Sequence, residues 1–147
     1  MELKELYRDV ILDHNRSPRN FGRIDPADSR AEGHNPLCGD RLSVFVRMNG
    51  ECVEDIRFEG RGCAISTASA SLMTEAVKGK DRRAIRELYS KVHALLTLPD
   101  AVPDGTLGKL AALSGVREFP VRVKCASLCW HTLNAALEHG AATVSTE

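Results

Sequence analysis

Cys38 and Asp40 stand two residues apart in the stretch His34-Asn35-Pro36-Leu37-Cys38-Gly39-Asp40. Pro36 lacks an amide donor and Gly39 reaches φ angles closed to other residues, so this backbone reads as a turn. Two donor side chains on one turn can converge on a point, and a thiol beside a carboxylate makes that point a candidate metal position. Zinc prefers four ligands, so the rest of the chain must supply two more. Cys63 follows Gly60-Arg61-Gly62 and precedes a Ser/Ala-rich run, which places it just before a helix N-terminus. Unpaired amides and the helix dipole favour a thiolate there. Cys125 repeats the arrangement, with a basic extended segment from Phe119 to Lys124 ahead of a helix. Four donors from three separated places make a set of three cysteines and one aspartate, which suits tetrahedral zinc.

Such a set leaves a formal charge of about −2 around the ion, costly near an interior unless offset. Arg41, Arg61, Arg122 and Lys124 each lie within three residues of a ligand and can supply the compensation; spacing alone equally allows ordinary solvated charges. Cys129 shares a helix face with Leu133, Ala136 and Leu137 and reads as core. Cys52, on the apolar parity of a strand, reads as a small buried hydrophobe. His14 and His34 read as solvated or capping side chains, with His34 near enough to Cys38 to stay a candidate.

The elements that must position these residues follow from periodicity. Leu3, Leu6, Tyr7, Val10 and Ile11 predict an amphipathic helix from about Glu2 to His14. The stretch from Asn15 to Pro36 is rich in Pro, Gly, Asn, Asp and Arg and reads as a long ordered loop. Leu42, Val44, Val46 and Met48 alternate as a half-buried strand, Asn49-Gly50 signals a hairpin, and a second strand follows through Phe58. Gly60 to Ile65 is the candidate for a short third strand. Ser66 to Lys78 reads as a helix with a hydroxyl cap and a stop at Gly79. Another helix starts at Asp81, a short one spans Leu107 to Leu113, and a final helix runs from Cys125 to His139. Residues from Ala141 onward read as a frayed tail.

At 147 residues, with 43% hydrophobic and 27% charged side chains, the chain reads as one soluble domain able to bury a core without disulfides. A formal net charge of zero argues against a broad nucleic-acid or anionic-membrane surface. The opening run is charged and amphipathic, unlike a signal peptide, and no apolar run is long enough to span a bilayer, so a cytoplasmic location is expected. Five cysteines cannot all pair within one chain, and in a reducing compartment they read as ligands, reactive thiols or core residues.

Three segments occur together and in order: Asn35-Pro36-Leu37-Cys38-Gly39-Asp40, Gly60-Arg61-Gly62-Cys63-Ala64-Ile65-Ser66, and Lys124-Cys125-Ala126-Ser127-Leu128. With Leu6-Tyr7, Asp13-His14 and Pro18-Arg19-Asn20-Phe21-Gly22, they resemble the U-type iron–sulfur scaffold family over nearly the whole chain. Lys124 stands where the IscU-type branch has a histidine, and the interval between Cys63 and Cys125 is longer than in that branch. Both features resemble the SufU-type branch. The resemblance implies an α+β fold with a small three-stranded antiparallel sheet packed by about five to six helices, one domain over residues 1–147, and zinc held by Cys38, Asp40, Cys63 and Cys125. It implies a zinc-dependent sulfurtransferase in which Cys38 attacks the persulfide of a SufS-type cysteine desulfurase, a histidine of that partner replacing Cys38 on zinc. Arg122 and Lys124 would be supporting residues, and a downstream Suf scaffold or other acceptor would take the sulfur. The alternative is an IscU-like scaffold that assembles and transfers a transient [2Fe–2S] cluster, against which Lys124 in place of histidine argues. A structural zinc domain with no reactive cysteine is a third reading.

Overall fold

A computed structural model describes residues 3–36, 39–98, 100–103, 105–139 and 141–145. The N-terminal helix α1 (Leu3–Arg16) turns Ile11 and His14 fully inward, with Tyr7 and Val10 packed against the same core. Strands β1 (Ser29–Asn35), β2 (Asp40–Asn49) and β3 (Cys52–Arg61) form consecutive antiparallel pairs. Helices α2 (Ala64–Val77) and α3 (Arg82–Thr97) follow, then a 3₁₀ segment (Gly105–Glu118) broken at Gly108, then α4 (Pro120–His139). The last strand, β4 (Ala141–Ser145), lies parallel to β1, giving the order β3-β2-β1-β4. The expected α+β class with three antiparallel strands holds.

One face of the sheet makes the core. Val44, Val46, Val53 and Ile56 point inward and are completely buried, against α2 and α4. Leu128 and Leu133 of α4 are equally enclosed, each burial contributing about 1.5–3 kcal/mol. The face away from the helices is polar, and Phe45 stays buried there because Arg23 and Arg30 cover its ring.

Four expectations need correction. The third antiparallel strand is β1, inside the stretch read as a loop, and not the segment from Gly60 to Ile65. Its inward positions are Ser29, Ala31, Gly33 and Asn35, small or polar, so hydrophobic alternation does not reveal them. They are small because α4 crosses closely: a Cβ on Gly33 would meet Thr132 Oγ1 and Leu128. The expected frayed tail is instead β4 across residues 141–145, whose backbone groups find partners on the free edge of β1. The segment Phe119 to Lys124, expected to be extended, is already helical, since Pro120 starts α4 at the position where its fixed φ suits a first turn. Cys52 is exposed rather than buried. The register places Val53 opposite Met48 and Asp55 opposite Arg47, so Glu54 is an extra residue and the side-chain parity flips there.

Candidate metal centre

Three elements end at one place. Asp40 is the first residue of β2, Cys63 caps α2, and Cys125 sits in the second turn of α4. A ligand atom from each lies within 4.8 Å of the other two. Asp40 and Cys125 are buried, while Cys63 keeps partial exposure. Cys38 lies outside the described residues, two positions before Asp40 in the connection between β1 and β2. In that connection Gly39 takes φ 71°, as the turn reading requires.

Each donor is held by a local device. The backbone N–H of Cys63 donates to Asp40 Oδ1 at 2.9 Å, tying the start of β2 to the start of α2. Gly62 permits this approach, because a Cβ there would stand 3.1 Å from Asp40 Oδ1 and 2.9 Å from Ser66 Oγ. The cap of α2 is Cys63 itself: its sulfur accepts from the Ser66 N–H at 3.4 Å, where a hydroxyl cap near Ser66 was expected. Orphan amides at a helix start favour the thiolate form. Cys125 was expected at a helix N-terminus too, and the earlier start of α4 removes it from one. Its sulfur instead receives the side-chain amide of Asn35, Nδ2 to Sγ 3.7 Å, from a fully buried residue one strand away.

Positive charge around the centre is supplied from α4. The Arg122 guanidinium is held above its ordinary pKa, first by its hydrogen bond to Cys125, then by the charges of Cys63 and Cys125. Lys124 is partly exposed and makes no ion pair among the described residues. Tyr7 is half-buried at the rim; burial raises its hydroxyl most, Cys63 raises it further, and Arg122 opposes both. Asn35 and Tyr7 were not singled out as site residues from sequence. The available signals were an asparagine beside Pro36 in the ligand turn and an aromatic residue on the first helix stripe.

The donor set fits a metal ion. Asp40 Oδ2 is buried without a hydrogen-bond partner among the described residues, beside two sulfurs, and an uncompensated buried carboxylate oxygen is costly. A cation there would satisfy it. Two thiolates and a carboxylate suit zinc and also iron–sulfur chemistry.

The other cysteines and histidines lie elsewhere. Cys129 is fully buried against Ser69, and burial pushes its thiol up to about 12. His14, expected to be solvated or capping, is buried with Nδ1 2.7 Å from Ser71 Oγ. His131 meets the Tyr89 hydroxyl at 2.7 Å.

The sequence matches the model of the NifU-like N-terminal domain over residues 6–137. The chain belongs to the NifU-like N-terminal family. Relatives of this NifU-like chain carry two kinds of name. The zinc-dependent sulfurtransferase SufU of Bacillus subtilis is 44% identical over 143 residues, 95% of this chain and 92% of that protein. The iron–sulfur cluster assembly scaffold protein IscU of Streptococcus pyogenes serotype M1 is 36% identical over 140 residues, 95% of this chain and 87% of that one. A crystal structure from Fervidobacterium islandicum AW-1, assigned as an iron–sulfur cluster assembly scaffold of the SUF system, superposes with TM-score 0.84. It is 33% identical and covers 91% of this chain and 98% of its own. No described helix is long and apolar enough to cross a membrane.

Proposed function

We propose that this protein is a zinc-dependent sulfurtransferase of iron–sulfur cluster assembly, taking sulfur from a cysteine desulfurase. The observation that carries the reading is the convergence of Asp40, Cys63 and Cys125 within 4.8 Å, in a chain 44% identical to a protein named for that activity. Cys38 is the fourth ligand and the acceptor. Bound zinc would supply the positive charge that keeps these thiols deprotonated.

The transfer is a thiol–disulfide type exchange. The Cys38 thiolate attacks the outer sulfur of the desulfurase persulfide, a new S–S bond forms on Cys38, and the desulfurase cysteine leaves as a thiolate that takes up a proton. No net oxidant is consumed. Asp40 and Cys125, both buried and anchored, hold the geometry while Cys38 reacts, and Cys63 keeps the exposed side of the centre. Arg122 offsets negative charge beside Cys63 and Cys125. Lys124 contributes a further positive charge one residue before Cys125. A cytoplasmic location and a downstream Suf scaffold or other acceptor complete the reading.

The test is cysteine turnover by the desulfurase with and without this protein, with metal content measured alongside. Wild type is expected to carry about one zinc and to accelerate turnover, and Cys38→Ala to lose the acceleration. The IscU relative favours a scaffold as the second reading, since thiolates also hold [2Fe–2S] clusters. Unchanged turnover together with a stable cluster built from iron and sulfide would establish that one instead.

A further inference from the structure

Strand register arranges the outer face of the sheet in rows of charge. Arg30, Phe45 and Arg57 stand opposite one another, then Glu32, Ser43 and Glu59, then His34, Arg41 and Arg61. The carboxylates of the middle row are answered locally, Glu32 by Arg30 at 3.0 Å and Glu59 by Arg23 at 2.7 Å. The third row is different. Arg41 and Arg61 are exposed, face each other across adjacent strands, and have no ion pair among the described residues. Like charges directly opposite one another destabilise a strand pair, so the fold carries a cost at this row that it avoids in the row beside it.

The row has a particular neighbour. The next register pair toward the β1–β2 connection is Asn35 with Asp40, and Arg61 is two residues from Cys63. Arg41 is three residues from Cys38 along the chain, and His34 four. A groove of about 510 Å³ passes over this end of the sheet, lined by this row, by Phe21 and Ser43, and by Glu32 and Glu59, whose carboxylates are the ones already held by Arg30 and Arg23. Beyond those two paired carboxylates it offers two guanidinium forks without an ion pair among the described residues, an imidazole and one aromatic edge. That composition matches carboxylates on a protein surface, each fork able to take one in bidentate fashion.

We propose that the His34–Arg41–Arg61 row docks an acidic segment of the cysteine desulfurase, an inference that rests on the sulfurtransferase reading. A protein that passes sulfur to Cys38 must approach the β1–β2 connection, and an approach to it from the outer side passes over this row. Two unpaired arginines would steer that encounter and fix its orientation, leaving chemistry to the centre on the opposite side of the sheet.

The experiment is titration of the desulfurase with the zinc-loaded protein, reading the dissociation constant directly and cysteine turnover in parallel, at two salt concentrations. Arg41→Glu/Arg61→Glu is compared with Arg41→Lys/Arg61→Lys; melting temperature and zinc content verify that each variant is folded and loaded. The double reversal is expected to weaken binding by about tenfold or more and to flatten its salt dependence, with the lysine pair retaining most of the affinity. Equal dissociation constants for wild type and the reversal overturn the docking inference while leaving the sulfurtransferase reading intact. So does a reversal that loses only inorganic phosphate binding, which assigns the row to a small anion. A wild type that neither binds nor accelerates the desulfurase sinks the functional reading, and the inference with it.

Discussion

Cys125 and Cys129 lie one turn apart on α4, and both are completely enclosed. Their surroundings are opposite. Around Cys125 stand the Asn35 amide, the Arg122 guanidinium, the Asp40 carboxylate and the Cys63 sulfur. Around Cys129 stand the Ser69 hydroxyl and the core. Burial pushes the Cys129 thiol up to about 12, so it stays protonated at any ordinary pH. Burial fraction therefore does not separate a core cysteine from a ligand. The groups that meet the sulfur do, and on α4 they change completely across four residues.

Removing each cysteine in turn separates the two environments. Cys125→Ala is expected to lower zinc affinity by well over the ~100-fold that loss of a supporting contact can cost, measured by chelator competition. Asn35→Ala leaves every proposed ligand in place and is expected to cost about tenfold in the same assay, since it removes the amide that meets the Cys125 sulfur. If Asn35→Ala leaves zinc affinity unchanged, the amide only packs. Cys129→Ala should leave zinc binding untouched and cost about 1 kcal/mol of stability, read by denaturant unfolding of the zinc-loaded protein.

The smallest expected effect concerns His14, a buried polar group with no part in the centre. Burial lowers its pKa most, Arg19 adds to that, and Glu75 and Asp13 oppose it. The unfolded chain therefore takes up a proton first as pH falls through about 6.5, and stability drops from there downward. His14→Gln is expected to be less stable at neutral pH and to show a shallower loss between about pH 7 and 5. An unchanged slope would mean that other groups set the acid sensitivity.

Sequence carried some of these features better than others. Helices α1 and α3 were legible because apolar spacing acts locally, α2 because Gly79 closes a Ser/Ala run, and the β2–β3 hairpin because Asn49-Gly50 sets its own turn. Strand β1 was illegible because its inward side chains are chosen for closeness to α4 rather than for hydrophobicity. Strand β4 needed knowledge of which sheet edge stays free. At Cys52 the parity argument failed on one bulged residue, Glu54, whose charge on the supposedly apolar face was the warning. That Asp40, Cys63 and Cys125 meet was legible as chemistry and through the family resemblance, while Cys38 lies outside the described residues. The local reason given for Cys125 was wrong, since it lies inside a helix, and the tertiary crossing of α4 over β1 brings it to the centre. Asn35 could not be found by pattern at all, because its role exists only once β1 and α4 meet.

The proposed zinc ligands are Cys38, Asp40, Cys63 and Cys125. Zinc-edge X-ray absorption on the purified protein tests this set most directly. Three sulfur scatterers at ~2.3 Å and one oxygen at ~2.0 Å are expected, with one sulfur lost in Cys38→Ala and none lost in Cys129→Ala. A shell of four sulfurs, or the same three-sulfur shell in Cys38→Ala, would contradict it.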